Sequence, residues 1–196
     1  MTKGLTLRER QRSQTRTHLV ETAARLFVEK GFASTSIDDL IEAAGMSRAT
    51  LYSYFRNKDD ILAAIVDRLW DKAFPHYQAF GELPDWSHDR VLKWLRTFAR
   101  AWEDEAATTR AAMLASPNLL ADAVVRRRQL VAAVLGTGEH WKHFDASEAE
   151  VRASMVVGVV ESQLTQHLVA EEGEADDAYL GYVVNGIRAL IAADRH

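Results

Sequence analysis

Ser34 to Lys58 reads STSIDDLIEAAGMSRATLYSYFRNK, and this stretch decides the fold. Ile37, Leu40, Ile41 and Ala44 recur at the spacing of one helix face, and Thr35 or Ser36 stands where a side-chain oxygen accepts a free N–H of the first turn. Gly45 ends that helix, because glycine enters the left-handed conformation without a Cβ penalty and lets the chain turn sharply. Ser47 is the next N-cap. A second helix is expected from Arg48 to about Phe55, with Leu51 and Phe55 inward and Arg48, Ala49, Thr50, Ser53 and Tyr54 on other faces. This is the layout of a helix-turn-helix, whose second helix enters the DNA major groove. Core helix pairs that touch no DNA share the layout, so the flanking sequence decides between them.

The flanks are more specific. Thr50-Leu51-Tyr52-Ser53-Tyr54-Phe55, then Asn57-Lys58-Asp59-Asp60-Ile61-Leu62, resembles the end of the DNA-binding domain in the TetR family of transcriptional regulators. Ala23-Ala24, Leu26-Phe27, Lys30-Gly31-Phe32 and Thr35-Ser36-Ile37 resemble that family's first helix and its entry into the second. The resemblance covers roughly residues 12–66. Ile41 departs from it, since such motifs usually carry Ala four residues before the turn glycine. The resemblance implies an all-α chain with an N-terminal three-helix helix-turn-helix domain and a C-terminal helical bundle for ligand binding and dimerisation. It further implies a homodimeric regulator, most often a repressor, that binds a near-palindromic double-stranded operator and is released by a small-molecule effector.

Composition bounds the alternatives. The 196 residues are 47% hydrophobic, enough for a small domain plus a larger one. With no cysteine, disulfides and thiolate metal sites are excluded. No apolar run approaches the roughly 18–20 residues of a membrane span, and the basic N-terminus lacks an apolar signal core, so a soluble cytoplasmic protein without a membrane partner is expected. Net charge is −4, but Met1 to Lys58 carries 10 Lys+Arg against 6 Asp+Glu, leaving 14 against 22 in the remainder. A basic end on an acidic body is the footprint of a nucleic-acid contact confined to that end.

In chain order, residues 1–11 read as a flexible basic arm, with Lys3, Arg8, Arg10, Arg12 and Arg16 crowding the first 16 residues. Such an arm is either a solvated tail or a reach toward phosphates beside the recognition helix. Residues 12–58 form the helix-turn-helix domain, its first helix running from about Thr15 to Lys30 on Leu19, Ala23, Leu26 and Phe27. Residues 59–196 form the effector-binding and dimerisation domain. Its first helix starts near Asp59 and reaches at least Phe74, with Pro75 kinking or ending it. Further helices are expected at Ser87–Glu105, Thr109–Ala115, Pro117–Leu135, Ser147–Ala170 and Asp176–Ala193.

Within the body, Trp94, Phe98 and Trp102 form an aromatic stripe at helical spacing, readable either as core or as the wall of an effector pocket. Met113, Asn118, Trp141, Phe144 and Met155 are further candidate walls for an effector that is largely apolar. The last two long helices are apolar on more than one face. Val156, Val160, Leu164, Leu180, Val184, Ile187 and Ile191 are therefore candidates for a two-fold, four-helix dimer interface, the alternative being a fully internal helix pair. His140 and His143 near Glu139 and Asp145 read as a surface loop rather than a metal site, and Arg126-Arg127-Arg128 as a solvated or ion-paired surface.

For the DNA site, Arg48 is the candidate for direct base readout through guanine O6 and N7, with Ala49 or Thr50 against thymine methyls. Thr35, Ser36, Tyr52, Ser53, Tyr54 and Lys58 are candidates for phosphate contacts. A helical-bundle enzyme is disfavoured, since there is no Glu-x-x-His pair, phosphate-binding glycine loop or nucleophile elbow, and no cofactor is expected. An architectural DNA-binding protein without an effector is disfavoured by a body larger than dimerisation requires.

Overall fold

Capping residues mark where the helices begin. The computed structural model describes residues 6–115, 119–169 and 177–192. Among these there are nine α-helices and no strand. Helix α1 spans Leu7–Lys30, α2 Ile37–Ala44 and α3 Arg48–Tyr52. Then come α4 (Lys58–Gly81), α5 (His88–Glu103), α6 (Ala106–Ala115), α7 (Leu119–Leu135), α8 (Ala146–Val169) and α9 (Asp177–Ile191).

The start of α1 corrects the flexible-arm reading for residues 7–11, which are helical. The Thr6 side chain accepts the Glu9 N–H at 3.3 Å, while the Glu9 carboxylate accepts from the Thr6 N–H at 2.7 Å. This reciprocal box satisfies two free donors and starts the helix eight residues earlier than its apolar stripe suggests. At α2 the choice between Thr35 and Ser36 resolves to Ser36, whose Oγ accepts the Asp39 N–H at 3.1 Å. Gly45 takes the expected left-handed conformation, with φ 62° and ψ 36°. Ile41, the departure from the family pattern, is half-buried. Helix α3 is shorter than expected and ends at Tyr52, though the Phe55 N–H still donates to the Leu51 carbonyl at 3.1 Å. The Asn57 side chain then accepts the Asp60 N–H at 2.8 Å and opens α4, which runs through Pro75 to Gly81.

Two compact units result. The described residues of 1–68 and 108–117 form one, and those of 69–107 and 118–196 the other. The boundary expected at 58/59 therefore lies inside α4, after Arg68. Its physical cause is burial: Ile61, Leu62, Ala64 and Ile65 are as deeply buried as Leu19 and Phe27 of α1, Leu40 of α2 and Leu51 of α3. Each buried Ile or Leu contributes about 1.5–3 kcal/mol relative to exposure, so the first half of α4 is core of the first unit.

In the second unit one apolar cluster joins Tyr77 and Phe80 of α4, Val91, Leu95 and Phe98 of α5, Val134 of α7, Val156 and Val160 of α8, and Val184 and Ile187 of α9. Gly81 and Gly136 allow the close approach of α4 to the end of α7. A Cβ on Gly81 would lie 2.3 Å from the Ala133 carbonyl oxygen, and Gly136 has φ 51°.

This packing corrects the proposed dimer residues. Val156, Val160, Leu164, Leu180, Val184, Ile187 and Ile191 are all buried within the protomer itself and leave no surface for a partner. Among the described residues, the exposed large apolar side chains on the same helices are Val151 and Met155, each 50% exposed, and Tyr182, 77% exposed.

Candidate nucleic-acid interface

Helix α3 presents Arg48 and Ala49 in its first turn and Tyr52 at its end, all exposed, while Leu51 anchors it inside. Ser47 caps it, its Oγ accepting the Thr50 N–H at 3.1 Å and sharing a 2.8 Å hydrogen bond with the half-buried Thr50 hydroxyl. The exposed Ser53 hydroxyl donates to the Thr50 carbonyl at 2.7 Å. The Arg48 guanidinium pairs with the Asp38 carboxylate of α2.

Helix α1 contributes cations to the same region. The Arg12 guanidinium lies 5.7 Å from the centre of the half-buried Tyr54 ring, and that of Arg16 lies 5.1 Å from the Phe55 ring. Both arginines are exposed, so each guanidinium meets an aromatic ring of the segment after α3 while staying open to solvent. The basic residues counted in the sequence as an arm are thus delivered in part by a helix.

Two residues expected on phosphates are structural instead. Thr35 is 1% exposed, and its hydroxyl donates to the Gly31 carbonyl at 2.8 Å, closing the turn between α1 and α2. Lys58 donates to the carbonyls of Phe32 and Thr35, the latter at 2.7 Å, and its ammonium lies 4.4 Å from the centre of the Phe32 ring. A cation so engaged acts as a clamp within the fold. Ser36 stays exposed as the α2 cap. Asp39, which completes that cap, is held below the usual carboxylate range, first by the hydrogen bond from Lys30 at 2.7 Å and then by those from Ser36.

The body's aromatic stripe is core. Trp94 and Phe98 are buried, Phe98 meets Tyr77 edge-on at 5.2 Å, and the Trp94 indole N–H donates to the His76 carbonyl at 2.7 Å. Trp102 packs edge-on against Phe98 at 5.6 Å. Trp141 is buried beside Trp86 at 4.9 Å and Phe144 at 6.1 Å. Two proposed pocket walls lie at the surface of the single chain, Met113 at 58% and Met155 at 50% exposure. Asn118 lies outside the described residues.

What the sequence reading missed in the body is a polar pair. Arg127 of α7 lies 3.6 Å from Glu161 of α8, and Glu161 Oε1 is buried without a hydrogen-bond partner. Burial pushes the Glu161 carboxyl above its ordinary value against the pull of Arg127, and burial also raises the neighbouring Tyr77 phenol. Gly158 makes the room, since a Cβ there would sit 2.7 Å from the Arg127 Nη2. The histidine loop carries no metal cluster, and none is formed by any His, Asp and Glu group among the described residues. His140 hydrogen-bonds to the Leu83 carbonyl. No helix among the described residues is long and apolar enough to cross a membrane.

The capped helix pair, its exposed second helix and the flanking arginines have the layout of a helix-turn-helix. Residues 19–65 match the family described as bacterial regulatory proteins, tetR family. The chain is 33% identical over 104 residues to the HTH-type transcriptional regulator EthR of Mycolicibacterium smegmatis, covering 51% of this chain and 48% of that protein. It is 37% identical over 60 residues to the HTH-type transcriptional repressor ComR of Escherichia coli, covering 31% and 29%. The chain thus spans about half, or less, of the curated relatives it matches. Salmonella enterica GusR has the same fold over 91% of this chain and 95% of its own, with a TM-score of 0.70 at 18% identity.

Proposed function

We propose that the chain is a homodimeric, effector-responsive transcriptional repressor that works in the cytoplasm on a near-palindromic operator. The observation that carries this reading is the exposed α3 with Arg48 at its start and Arg12 and Arg16 beside its end, on a domain of the TetR family. Arg48 reads a base edge, Ala49 or Thr50 touches a thymine methyl, and Ser36, Tyr52, Ser53, Tyr54, Arg12 and Arg16 set the register on phosphates. One five-residue helix reaches few base pairs, so two heads in successive major grooves, about 34–36 Å apart, supply the selectivity.

A second copy is the partner proposed for the exposed Val151, Met155 and Tyr182 of α8 and α9. The effector is proposed to be largely apolar, to bind beside the partly buried Trp102 and the aromatic core behind it, and to present a donor to the unpaired Glu161 oxygen. An effector that binds better to a conformation with wrongly spaced heads releases DNA. An architectural protein needs no such site.

The test is fluorescence anisotropy of the purified chain on the DNA flanking its own coding region, at several salt concentrations and against scrambled duplex. Salt-dependent, sequence-selective binding of two subunits per site, or a multiple of two, is expected. Equal affinity for scrambled DNA together with a failure to enrich any motif from a random library would refute the regulator reading.

A further inference from the structure

We propose that Asp38 is a specificity-determining residue of the DNA site, acting by positioning Arg48. This deepens the DNA-binding reading above and rests on it. Asp38 is the second residue of α2, and Arg48 is the first residue of α3. The chain reverses between them at Gly45, which brings the Asp38 carboxylate onto the Arg48 Nη2.

Asp38 also stands in the first turn of α2, where its charge complements the helix dipole by about 0.3–1 kcal/mol, but it takes no part in the cap. The N-terminal cap of α2 is completed by Asp39, which bonds the Ser36 N–H at 2.8 Å and Lys30 at 2.7 Å. The side chains of Asp38 and Arg48 are 75% and 57% exposed. An ion pair that exposed contributes between nothing and about 1 kcal/mol to stability. On a surface whose neighbouring cations are Arg12 and Arg16, a negative charge also lowers attraction to DNA. A residue that adds little stability and opposes non-specific binding has its effect in selectivity.

Two physical consequences follow from the pair. A free arginine on a short helix samples many rotamers and finds phosphates as readily as bases. Held on one edge by Asp38, the guanidinium keeps its other N–H donors in a narrower range of directions, so less freedom is lost when it meets a guanine edge. The carboxylate also offsets the positive charge that would otherwise draw Arg48 onto the backbone, which penalises wrong sequences more than the right one. Asp38 therefore lowers affinity for DNA in general and raises the preference at the base that Arg48 reads.

The test is selection of full-length protein against a random duplex library, followed by position-by-position affinities on the recovered motif. The proteins are wild type, D38A, D38N, R48A and the D38A/R48A double variant, with a thermal melt of each as a check on folding. In wild type, one position per half-site prefers guanine, and R48A reduces that preference by roughly tenfold or more. D38A is expected to reduce the same preference several-fold while tightening binding to scrambled duplex, with D38N intermediate. In the R48A background, D38A is expected to leave the base preferences unchanged.

A wild-type motif whose preferences D38A leaves intact overturns the role of Asp38 and leaves the DNA-binding reading standing. So does an equal effect of D38A with and without Arg48, since Asp38 then does not act through it. Failure of wild type to enrich any motif overturns the DNA-binding reading itself, and the proposal with it.

Discussion

The Lys58 ammonium donates a 2.7 Å hydrogen bond to the Thr35 carbonyl, tying the first residue of α4 to the residue ahead of the α2 cap. It also reaches the Phe32 carbonyl and lies over the Phe32 ring. One side chain thus closes the α1–α2 turn against the start of α4, and hydrogen bonds from a charged group contribute about 1.5–3 kcal/mol each. Lys58→Ala is expected to lower the stability of the DNA-binding unit by about 1–3 kcal/mol in chemical denaturation. On DNA it should change the salt dependence by well under one ion, because the ammonium is not a phosphate contact. A full one-ion decrease with unchanged stability would return Lys58 to the phosphate surface.

The cap of α2 gives an acid-side signature. Asp39 is held below the ordinary carboxylate value of 3.8, first by Lys30 and then by Ser36. A carboxylate depressed in the folded state contributes stability that is fully present above the unfolded value and is lost as pH falls toward the native one. Denaturation of Asp39→Asn between pH 2 and 7 is expected to show a shallower acid limb than wild type. Ser36→Ala should cost about 1 kcal/mol at neutral pH. An acid limb identical to wild type would show that Asp39 is not paired in solution.

Glu161 is expected to behave with the opposite sign. Burial raises its folded value above the ordinary 4.5, with Arg127 opposing the shift. The folded chain therefore holds this proton more tightly than the unfolded chain. Stability falls as pH rises from 4.5 through the raised value, and the cost is constant above it. Glu161→Gln removes that charge and is expected to be as stable as wild type at pH 8, or more stable by up to about 1–2 kcal/mol. The difference should shrink below pH 4.5. A variant less stable at pH 8 by several kcal/mol would show that the Arg127 pairing outweighs burial.

How much of this was legible in the sequence varies by kind of contact. Local signals carried the helix-turn-helix, because Gly45 and the Ser47 cap act within a few residues of themselves. The early start of α1 was equally local, written in Thr6 and Glu9, but an apolar stripe beginning at Leu19 drew the eye past it. Lys58 and Thr35 could not be read. Their partners are carbonyls that only the folded turn brings together, and any exposed lysine after a recognition helix looks like a phosphate contact. In α8 and α9, apolar residues occupy several faces, so periodicity alone does not say which stripe looks inward. Val156 and Val160 went to the core while Val151 and Met155 stayed outside. The Arg127–Glu161 pair was hidden for another reason, as two charged residues on separate helices read as surface until the fold brings them together.

Gly81 is a packing constraint rather than a flexible link. Its missing side chain leaves room for the carbonyl oxygens of Ala133 and Val134, which a Cβ would meet at 2.3 and 3.0 Å. Backbone atoms at that distance move only with their helix. Gly81→Ala is expected to cost about 1–3 kcal/mol or more through displacement of α7. The melting temperature of the variant checks this, and an unchanged value would mean that α4 and α7 separate at no cost. Gly181 is the control on α9, since a Cβ there meets nothing within 4 Å.

The surface of α8 and α9 proposed to meet a second copy is tested by charge. Val151 and Met155 stand one turn apart on α8, and Tyr182 is the most exposed aromatic of α9. In a two-fold interface each residue meets its own copy or a near neighbour, so one substitution places two like charges in the contact. Met155→Glu and Tyr182→Glu are expected to shift the dissociation of the dimer by tenfold or more, measured by sedimentation at micromolar protein. Because both side chains are already exposed in the single chain, neither variant should lose much folding stability once monomeric. Operator affinity should fall with dimerisation, since one α3 alone holds too few base contacts. Val156→Glu behaves differently: Val156 is fully buried, and an unpaired charge there is expected to unfold the body rather than split a dimer. Sedimentation as a dimer by both surface variants would move the interface to another face of the chain.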